Sequence, residues 1–301
     1  MSRERNKMTF HSVFIAIVGP PNVGKSTLLN RLLKRKVAIV SPKPQTTRNR
    51  ITGIYHDSKF QMVFFDTPGI HKTRSILHKS MVASAQSVFR EVDIILLMIE
   101  LHRPEDPIFP FIIKNLKEVK KHTILVINKI DQGKKEKLLP IIDTFHQKYP
   151  FEGIFPISAL NGDGISDLFK HLKASLKPGP RFFPENINTD QSESFLVAEI
   201  IREKIYFHAS QELPYSSAVT VDNLEEISEK NLIVITARIH VESDSQKGII
   251  IGKGGKMVKS IGQSARKELE AIFGTKIYLD LTVRVTKGWS TDPRALQRLG
   301  Y

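Results

Sequence analysis

Up to residue 176 the chain alternates between short runs that are apolar at nearly every position and longer stretches that read as helices. The apolar runs are residues 13–18 (VFIAIV), 60–66 (FQMVFFD), 92–100 (VDIILLMIE), 122–128 (HTILVIN) and 153–158 (GIFPIS). Residues 26–33, 76–90, 108–119, 134–148 and 165–176 are the intervening helices. A strand without polar alternation is covered on both faces. The pattern therefore predicts an α/β domain with a mostly parallel sheet between two layers of helices. Ligands of such folds bind at the carboxyl ends of the strands.

The pattern changes after KPGPRFFPENI (177–187), where three prolines and a glycine in eleven residues predict a linker. Residues 195–207 read as a helix. Residues 218–222 and 233–241 alternate with period two, which puts Ile233, Ile235, Ala237, Ile239 and Val241 on one face. The apolar segment GIIIGKGG leads into a helix over 257–273, and 277–285 forms a last strand. The order helix, strand, strand, helix, strand predicts a smaller α+β domain. The boundaries read as a tail (1–11), a first domain (12–176), a linker (177–188), a second domain (189–285) and a C-terminal tail (286–301).

Composition narrows the class. Of 301 residues, 41% are hydrophobic, enough for ordinary cores. The longest purely apolar run, 94–99, is far too short to cross a bilayer, and the charged N-terminal residues lack a secretory apolar core. A soluble, cytoplasmic protein is expected. With no cysteine, disulfides and thiolate metal sites are excluded. The net charge of +14 favours polyanionic partners. Its distribution says more: residues 1–180 carry +14, 181–245 carry −7 and 246–301 carry +7. A basic island thus surrounds IGKGGK (251–256).

The first glycine cluster, GPPNVGKS (19–26), fits G-x-x-x-x-G-K-[ST] and sits between a buried strand and a helix. Glycines let successive N–H groups close on phosphate oxygens, and the helix adds its positive end. Gly19, Asn22, Val23, Gly24, Lys25, Ser26 and Thr27 are the candidate phosphate binders. Lys25 can reach the β- and γ-phosphates, and the Ser26 hydroxyl can ligate Mg²⁺. NKID (128–131) follows the strand 122–128. A carboxylate at Asp131 can accept from guanine N1–H and the 2-amino group, a donor pair that adenine lacks. Asn128 can read N7 and tie back to the phosphate loop, and Lys129 can pack its stem along the base. SAL (Ser158, Ala159, Leu160) can offer backbone N–H to guanine O6.

DTPG (66–69) ends the strand 60–66. Asp66 can hold Mg²⁺ through water, and the N–H of Gly69 can sense a γ-phosphate. In the intervening SPKPQTTRNR (41–50), either Thr46 or Thr47 can close on the metal when triphosphate is bound, which makes both loops an order–disorder switch. Lys25, Thr46, Thr47, Asp66 and Gly69 are the residues expected to act on the transferred phosphate.

Together PNVGKS, TTR, DTPG, NKID and SAL resemble the translation-factor-like class of P-loop GTPases, over residues 12–176. The resemblance implies hydrolysis of GTP to GDP and phosphate. In Ras-like enzymes a glutamine follows the switch glycine; here Ile70 does. Isoleucine cannot orient a water, so slow intrinsic turnover is expected. Related GTPases with this replacement use an asparagine of the phosphate loop to bind K⁺, which makes Asn22 a candidate K⁺ ligand and hydrolysis potassium-stimulated.

The second cluster, GKGG, fits G-x-x-G, which is weak alone. Here it follows an apolar segment, precedes an amphipathic helix and is bracketed by lysines. That arrangement resembles a KH domain of type II, whose loop clamps about four nucleotides of backbone. Gly252, Lys253, Gly254, Gly255 and Lys256 are the candidate phosphate clamp, and Ile249, Ile250 and Ile251 the candidate wall of a base groove. One GTPase domain followed by one KH domain is similar to a family of bacterial ribosome-assembly GTPases. That resemblance implies GTP/GDP and Mg²⁺ as ligands and the 3′ region of small-subunit 16S rRNA as partner. It further implies a monomer acting in 30S subunit maturation and peripheral contact with the cytoplasmic face of the inner membrane. Two other readings stay open: a membrane-surface signalling GTPase, and an RNA-binding scaffold with nucleotide as a structural ligand. Trp289 and the closing LGY receive no role.

Overall fold

The computed structural model describes residues 9–70, 76–209 and 212–301. They divide by packing into two units. The first is built on seven strands: β1 (His11–Val18), β2 (Ile51–His56), β3 (Phe60–Asp66), β4 (Ile94–Glu100), β5 (His122–Asn128), β6 (Gly153–Pro156) and β7 (Lys177–Pro178). Their order is β2-β3-β1-β4-β5-β6, with β7 beside β1. The strands from β3 to β6 run parallel, while β2 and β7 are antiparallel additions. Helices α1 (Lys25–Leu33), α2 (Ile76–Glu91, of which the part from Met81 belongs here), α3 (Phe109–Val119), α4 (Leu138–Lys148) and α5 (Ile165–Ala174) complete the unit. Residues 94–99 and 123–128 are buried at every position, which is why they show no polar alternation.

Three details depart from expectation. Strand β2 lies within a stretch with no strand assigned and forms a hairpin with β3, closed by Asp57 N–H donating to Phe60 O at 2.9 Å. The helix expected from 134 starts as a 3₁₀ turn, Lys135–Lys137, before α4. The proline-rich stretch is laid along this unit rather than left loose. The fully buried Gln61 accepts from the N–H groups of Phe182 and Phe183 at 3.0 and 3.1 Å and donates to Phe183 O at 2.9 Å.

The second unit comprises α6 (Glu193–His208), β8 (Ala218–Ile227), β9 (Leu232–Val241), α7 (Asp244–Ile251), α8 (Lys256–Phe273), β10 (Lys276–Val285) and α9 (Pro293–Arg298). Its sheet runs β10-β9-β8, with β9 and β10 parallel and β8 antiparallel to β9. Ile233, Ile235, Ala237, Ile239 and Val241 do share one face. They pack against Val197, Ile200 and Ile201 of α6 and Ile261, Ala265 and Leu269 of α8. Segment Ile39–Thr46 also belongs here: Ile39 enters this core, and Val40 N–H donates to Glu203 at 2.8 Å.

Two helices in this unit were not expected. Residues 244–251, whose apolar end had no element assigned, form α7. Ser243 caps it by accepting from Gln246 N–H at 3.3 Å, and a short apolar run does not distinguish helix from strand. The tail holds α9, capped by Asp292 with Pro293 in its first turn.

Candidate functional site

The carboxyl ends of β1, β3 and β5 carry the three motifs of the first unit. Gly19 follows β1 with φ +150°, and a Cβ there would lie 2.4 Å from Met98 O, so only glycine lets the loop cross β4. Helix α1 begins at Lys25 with no side-chain cap and no acidic residue in its first turn. Its positive end thus carries no built-in anion. The buried Lys25 head donates to Gly19 O and Pro20 O at 3.2 and 2.8 Å. Burial lowers its pKa to about 8, against the opposing pull of Asp66.

Asp66 is fully buried at the end of β3. Its Oδ2 accepts from Ser26 Oγ at 2.5 Å, and Thr47 Oγ1 lies 2.8 Å from Ser26 Oγ and 3.5 Å from Asp66 Oδ2. Asp66 Oδ1 is buried with no hydrogen-bond partner. Burial raises the Asp66 pKa to about 6, opposed by Lys25, Ser26 and Thr47. A carboxylate with one unsatisfied oxygen, flanked by two hydroxyls, suits a hard divalent cation such as Mg²⁺. Among the described residues no group of three or more His, Cys, Asp or Glu could hold a metal, so such an ion would depend on hydroxyls, water and phosphate.

Thr46, the other threonine expected near the metal, points elsewhere. Its hydroxyl bonds Ser41 Oγ at 2.7 Å and Lys43 O at 2.8 Å, and its carbonyl accepts from Arg202. It belongs to the second unit, whereas Thr47 belongs to the first. Gly69 lies over the phosphate loop, where a Cβ would come within 2.6 Å of Pro21 Cα. Ile70 is fully buried, and its N–H donates to Gly19 O at 3.1 Å.

Asn128 joins two loops. Its Nδ2 donates to Val23 O at 2.8 Å, and its Oδ1 accepts from Ala159 N–H at 2.9 Å. Gly24 must be glycine beside it, since a Cβ would come within 2.3 Å of Asn128 Nδ2. Lys129 takes φ +63° and pairs with Glu100 at 2.5 Å. Asp131 is exposed in the 3₁₀ turn Ile130–Gln132. Ser158 is buried, its Oγ accepting from Asn161 N–H at 3.0 Å, whereas Leu160 is exposed. Asn22 is exposed with φ +64°, and Thr27 lies in the first turn of α1.

The sequence reading missed two supporting residues. Arg31 on α1 donates to Ala159 O at 3.1 Å and also bonds Leu160 O. Nothing in its spacing singled it out. Glu100 was legible in principle, as the acid that ends the strand beside Asn128.

In the second unit Gly252, Gly254 and Gly255 all take positive φ, at +70°, +61° and +75°. A Cβ on Gly252 would meet Met257 Cβ at 2.7 Å, while Gly254 and Gly255 face open space. Lys253 and Lys256 are exposed on either side. Ile249 is half exposed and Ile251 partly so, but Ile250, also expected in the groove, is fully buried in the core. On α7, successive residues point about 100° apart, so three in a row cannot share a groove.

Fold and sites define a P-loop GTPase domain followed by a type II KH domain. A family model described as 50S ribosome-binding GTPase matches residues 14–129, and one described as KH domain matches residues 212–290. The chain belongs to the Era family of GTPases. It is 51% identical over 292 residues to GTPase Era of Syntrophus aciditrophicus, covering 97% of this chain and 95% of that one. It is 49% identical to GTPase Era of Geobacter metallireducens, covering 97% and 98%. A crystal structure of Era in complex with MgGDPNP and nucleotides 1506–1542 of 16S ribosomal RNA superposes with a TM-score of 0.93 at 41% identity, covering 97% of this chain and 99% of that one. Aquifex aeolicus Era bound to GDP·AlF₄⁻ gives the same values. Among the described residues no helix is long and apolar enough to cross a membrane.

Proposed function

We propose that this chain hydrolyses GTP and uses its KH unit to grip the 3′ region of 16S rRNA during 30S subunit maturation. The observation that carries the reading is one chain joining a phosphate loop, stapled to a guanine-type loop by Asn128, to a loop of three left-handed glycines flanked by lysines. The crystal structure of Era with MgGDPNP and 16S nucleotides matches it over both units.

In this reading the N–H groups of residues 19–27 and the Lys25 head hold the phosphates. A nearby phosphate restores the full charge that burial weakens in Lys25. Ser26, Thr47 and Asp66 would hold Mg²⁺, which neutralises charge on the transferred phosphoryl group. Gly69 N–H senses the γ-phosphate. Thr46 is left out of the metal site and Ile250 out of the base groove. Asp131 reads the guanine edge, with Lys129 along the base; of the three N–H groups expected at O6, those of Ser158 and Ala159 are held by Asp163 O and Asn128 Oδ1, which leaves that of Leu160. Ile70 is buried and apolar, so no residue at that position orients water, and K⁺ held by Asn22 supplies the missing charge. The GTPase domain spans 12–176, the linker 177–188 and the KH domain 189–285, after a tail of 1–11 and before one of 286–301. The protein acts as a cytoplasmic monomer with peripheral contact to the inner membrane.

The test compares wild type with Lys253→Asp/Gly254→Asp. GTP turnover, binding of a short single-stranded RNA matching the 16S 3′ end, and binding to anionic vesicles are measured for both. The reading expects RNA binding to collapse while turnover survives. Vesicle binding that falls in place of RNA binding would favour the membrane-surface reading. Turnover that Lys25→Ala leaves unchanged would favour the scaffold reading.

A further inference from the structure

The C-terminal tail builds a cavity that the GTP and RNA readings leave unused. After β10 the chain turns back. Glu242 fixes the turn by accepting from Gly288 N–H at 2.9 Å and Ser290 N–H at 3.1 Å. Trp289 is fully buried, its indole N–H donating to Ser216 O at 3.2 Å, with the Tyr301 ring 5.8 Å away. These anchors hold α9 against the second unit, where its own Ala295 and Leu296 are buried.

Between α9 and the sheet lies a cavity of about 520 Å³, lined in part by Thr220, Asp222, His240, Arg284, Thr286 and Arg298. Arg284 stands directly across from His240 on the paired strands. Both imidazole nitrogens are engaged by hydroxyls, Nε2 with Thr220 Oγ1 at 2.9 Å and Nδ1 with Thr286 Oγ1 at 3.0 Å. Burial, followed by the field of Arg238, lowers the His240 pKa, so the ring stays neutral between the arginines. Asp222, the one carboxylate in the lining, already pairs with Arg238 at 2.8 Å. Among the described residues Arg284 and Arg298 form no ion pair. A neutral imidazole takes the proton of one threonine and donates to the other, so the cavity holds two uncommitted guanidinium groups and one hydroxyl free to donate, a donor set that recognises phosphate. Its volume falls in the range that admits a nucleotide-sized group.

We propose that this cavity is a phosphate-binding site, separate from the Gly252–Gly255 loop and built by the folded-back tail. The phosphate has two sources, a phosphodiester within an RNA strand or the phosphomonoester of a small molecule. The proposal does not depend on RNA binding at the glycine loop, because the second source can be tested without RNA.

The experiment uses the full chain saturated with GDP and Mg²⁺. In one arm, AMP and inorganic phosphate are titrated into ¹⁵N-labelled wild type, and the amide resonances of Thr286 and Leu299 are followed. In the other, the salt dependence of short single-stranded RNA binding is compared between wild type, Arg284→Gln/Arg298→Gln and Arg284→Lys/Arg298→Lys. An RNA source predicts that the glutamine pair lowers the salt slope by about 0.7 for each phosphate no longer neutralised, and that the lysine pair recovers most of it. A small-molecule source predicts saturable shifts with AMP or phosphate and an unchanged RNA slope. If the resonances do not move and the slope is the same in all three proteins, the proposal is wrong. Should the glutamine pair fold poorly, the single variants Arg284→Gln and Arg298→Gln take its place, each expected to lower the slope by up to about 0.7 under an RNA source and to leave it unchanged if the proposal is wrong. RNA binding that collapses in Lys253→Asp/Gly254→Asp but not in the arginine variants supports the glycine-loop reading and removes the RNA arm of this one.

Discussion

Asn128→Ala separates a structural staple from a base reader. Asn128 makes two buried hydrogen bonds, to Val23 O and from Ala159 N–H. Val23 and Ala159 are themselves only 4% and 1% exposed, so water does not readily replace the amide. A net hydrogen bond is worth about 1 kcal/mol, and a buried partner left without one costs about 1–3 kcal/mol. For two orphaned partners the loss is about 4 kcal/mol, out of about 5–15 kcal/mol for a typical domain. At about 2–4 °C per kcal/mol for a domain of this size, the melting point of the GTPase unit should fall by about 8–16 °C. The assay is urea and thermal unfolding of the nucleotide-free protein, with GDP affinity measured in parallel. Saturating GDP should restore part of the lost stability, since it binds only the folded site. A loss below about 1 kcal/mol with a large drop in GDP affinity would refute the staple and leave Asn128 acting on the base alone.

Asp66, with its pKa raised to about 6, takes up a proton more readily folded than unfolded. Its ionisation therefore costs stability as pH rises from about 4 to 6, and Asp66→Asn should stabilise the metal-free protein above pH 6. The same shift predicts that Mg²⁺ affinity of the GDP complex falls as pH drops through 6, measurable by titration calorimetry; a flat profile from pH 5 to 8 would contradict it. Lys25, lowered to about 8, destabilises the empty site below that pH and ceases to do so as pH rises from 8 to 10.5. Asp131→Asn should move preference from GTP to XTP in competition binding, and unchanged preference would mean that Asp131 does not read the base. Turnover should be faster in KCl than in NaCl, with the difference lost in Asn22→Ala; equal rates in wild type would remove the K⁺ role. Gly252→Ala, which drives a Cβ to 2.7 Å from Met257 Cβ, should lower the melting point of the KH unit more than Gly254→Ala, whose Cβ meets open space. The reverse order would show the loop geometry to be misassigned.

Much of the fold was legible because burial leaves a linear trace. Strands covered on both faces must be apolar throughout, and β4 and β5 could be read at once. The alternation in β9 likewise gave its buried face, from Ile233 to Val241. What escaped was short or edge-bound. Strand β2 owes its existence to pairing with β3, a partnership no local pattern announces. In α7 the run GIII suits a helix and a strand equally, and the choice falls to the Ser243 cap and to Ile250 entering the core.

The candidate sites divide the same way. Sequence alone pointed to the loop chemistries, because phosphate cradles demand glycine, lysine and hydroxyl at fixed spacing along one chain. Tertiary structure decided which of two adjacent threonines faces Ser26, because the Thr46 hydroxyl is held by Ser41 and Lys43 while that of Thr47 reaches Ser26. It also paired Lys129 with Glu100 and braced residues 159 and 160 with Arg31, linking residues about 30 and 130 positions apart. The tail shows the limit most clearly. Trp289 and the closing LGY carry no local signal, yet once Trp289 is buried and Tyr301 lies against it, Arg298 and Arg284 line one cavity. Spacing fixes what a single loop can bind, but only packing brings charges from distant parts of the chain together.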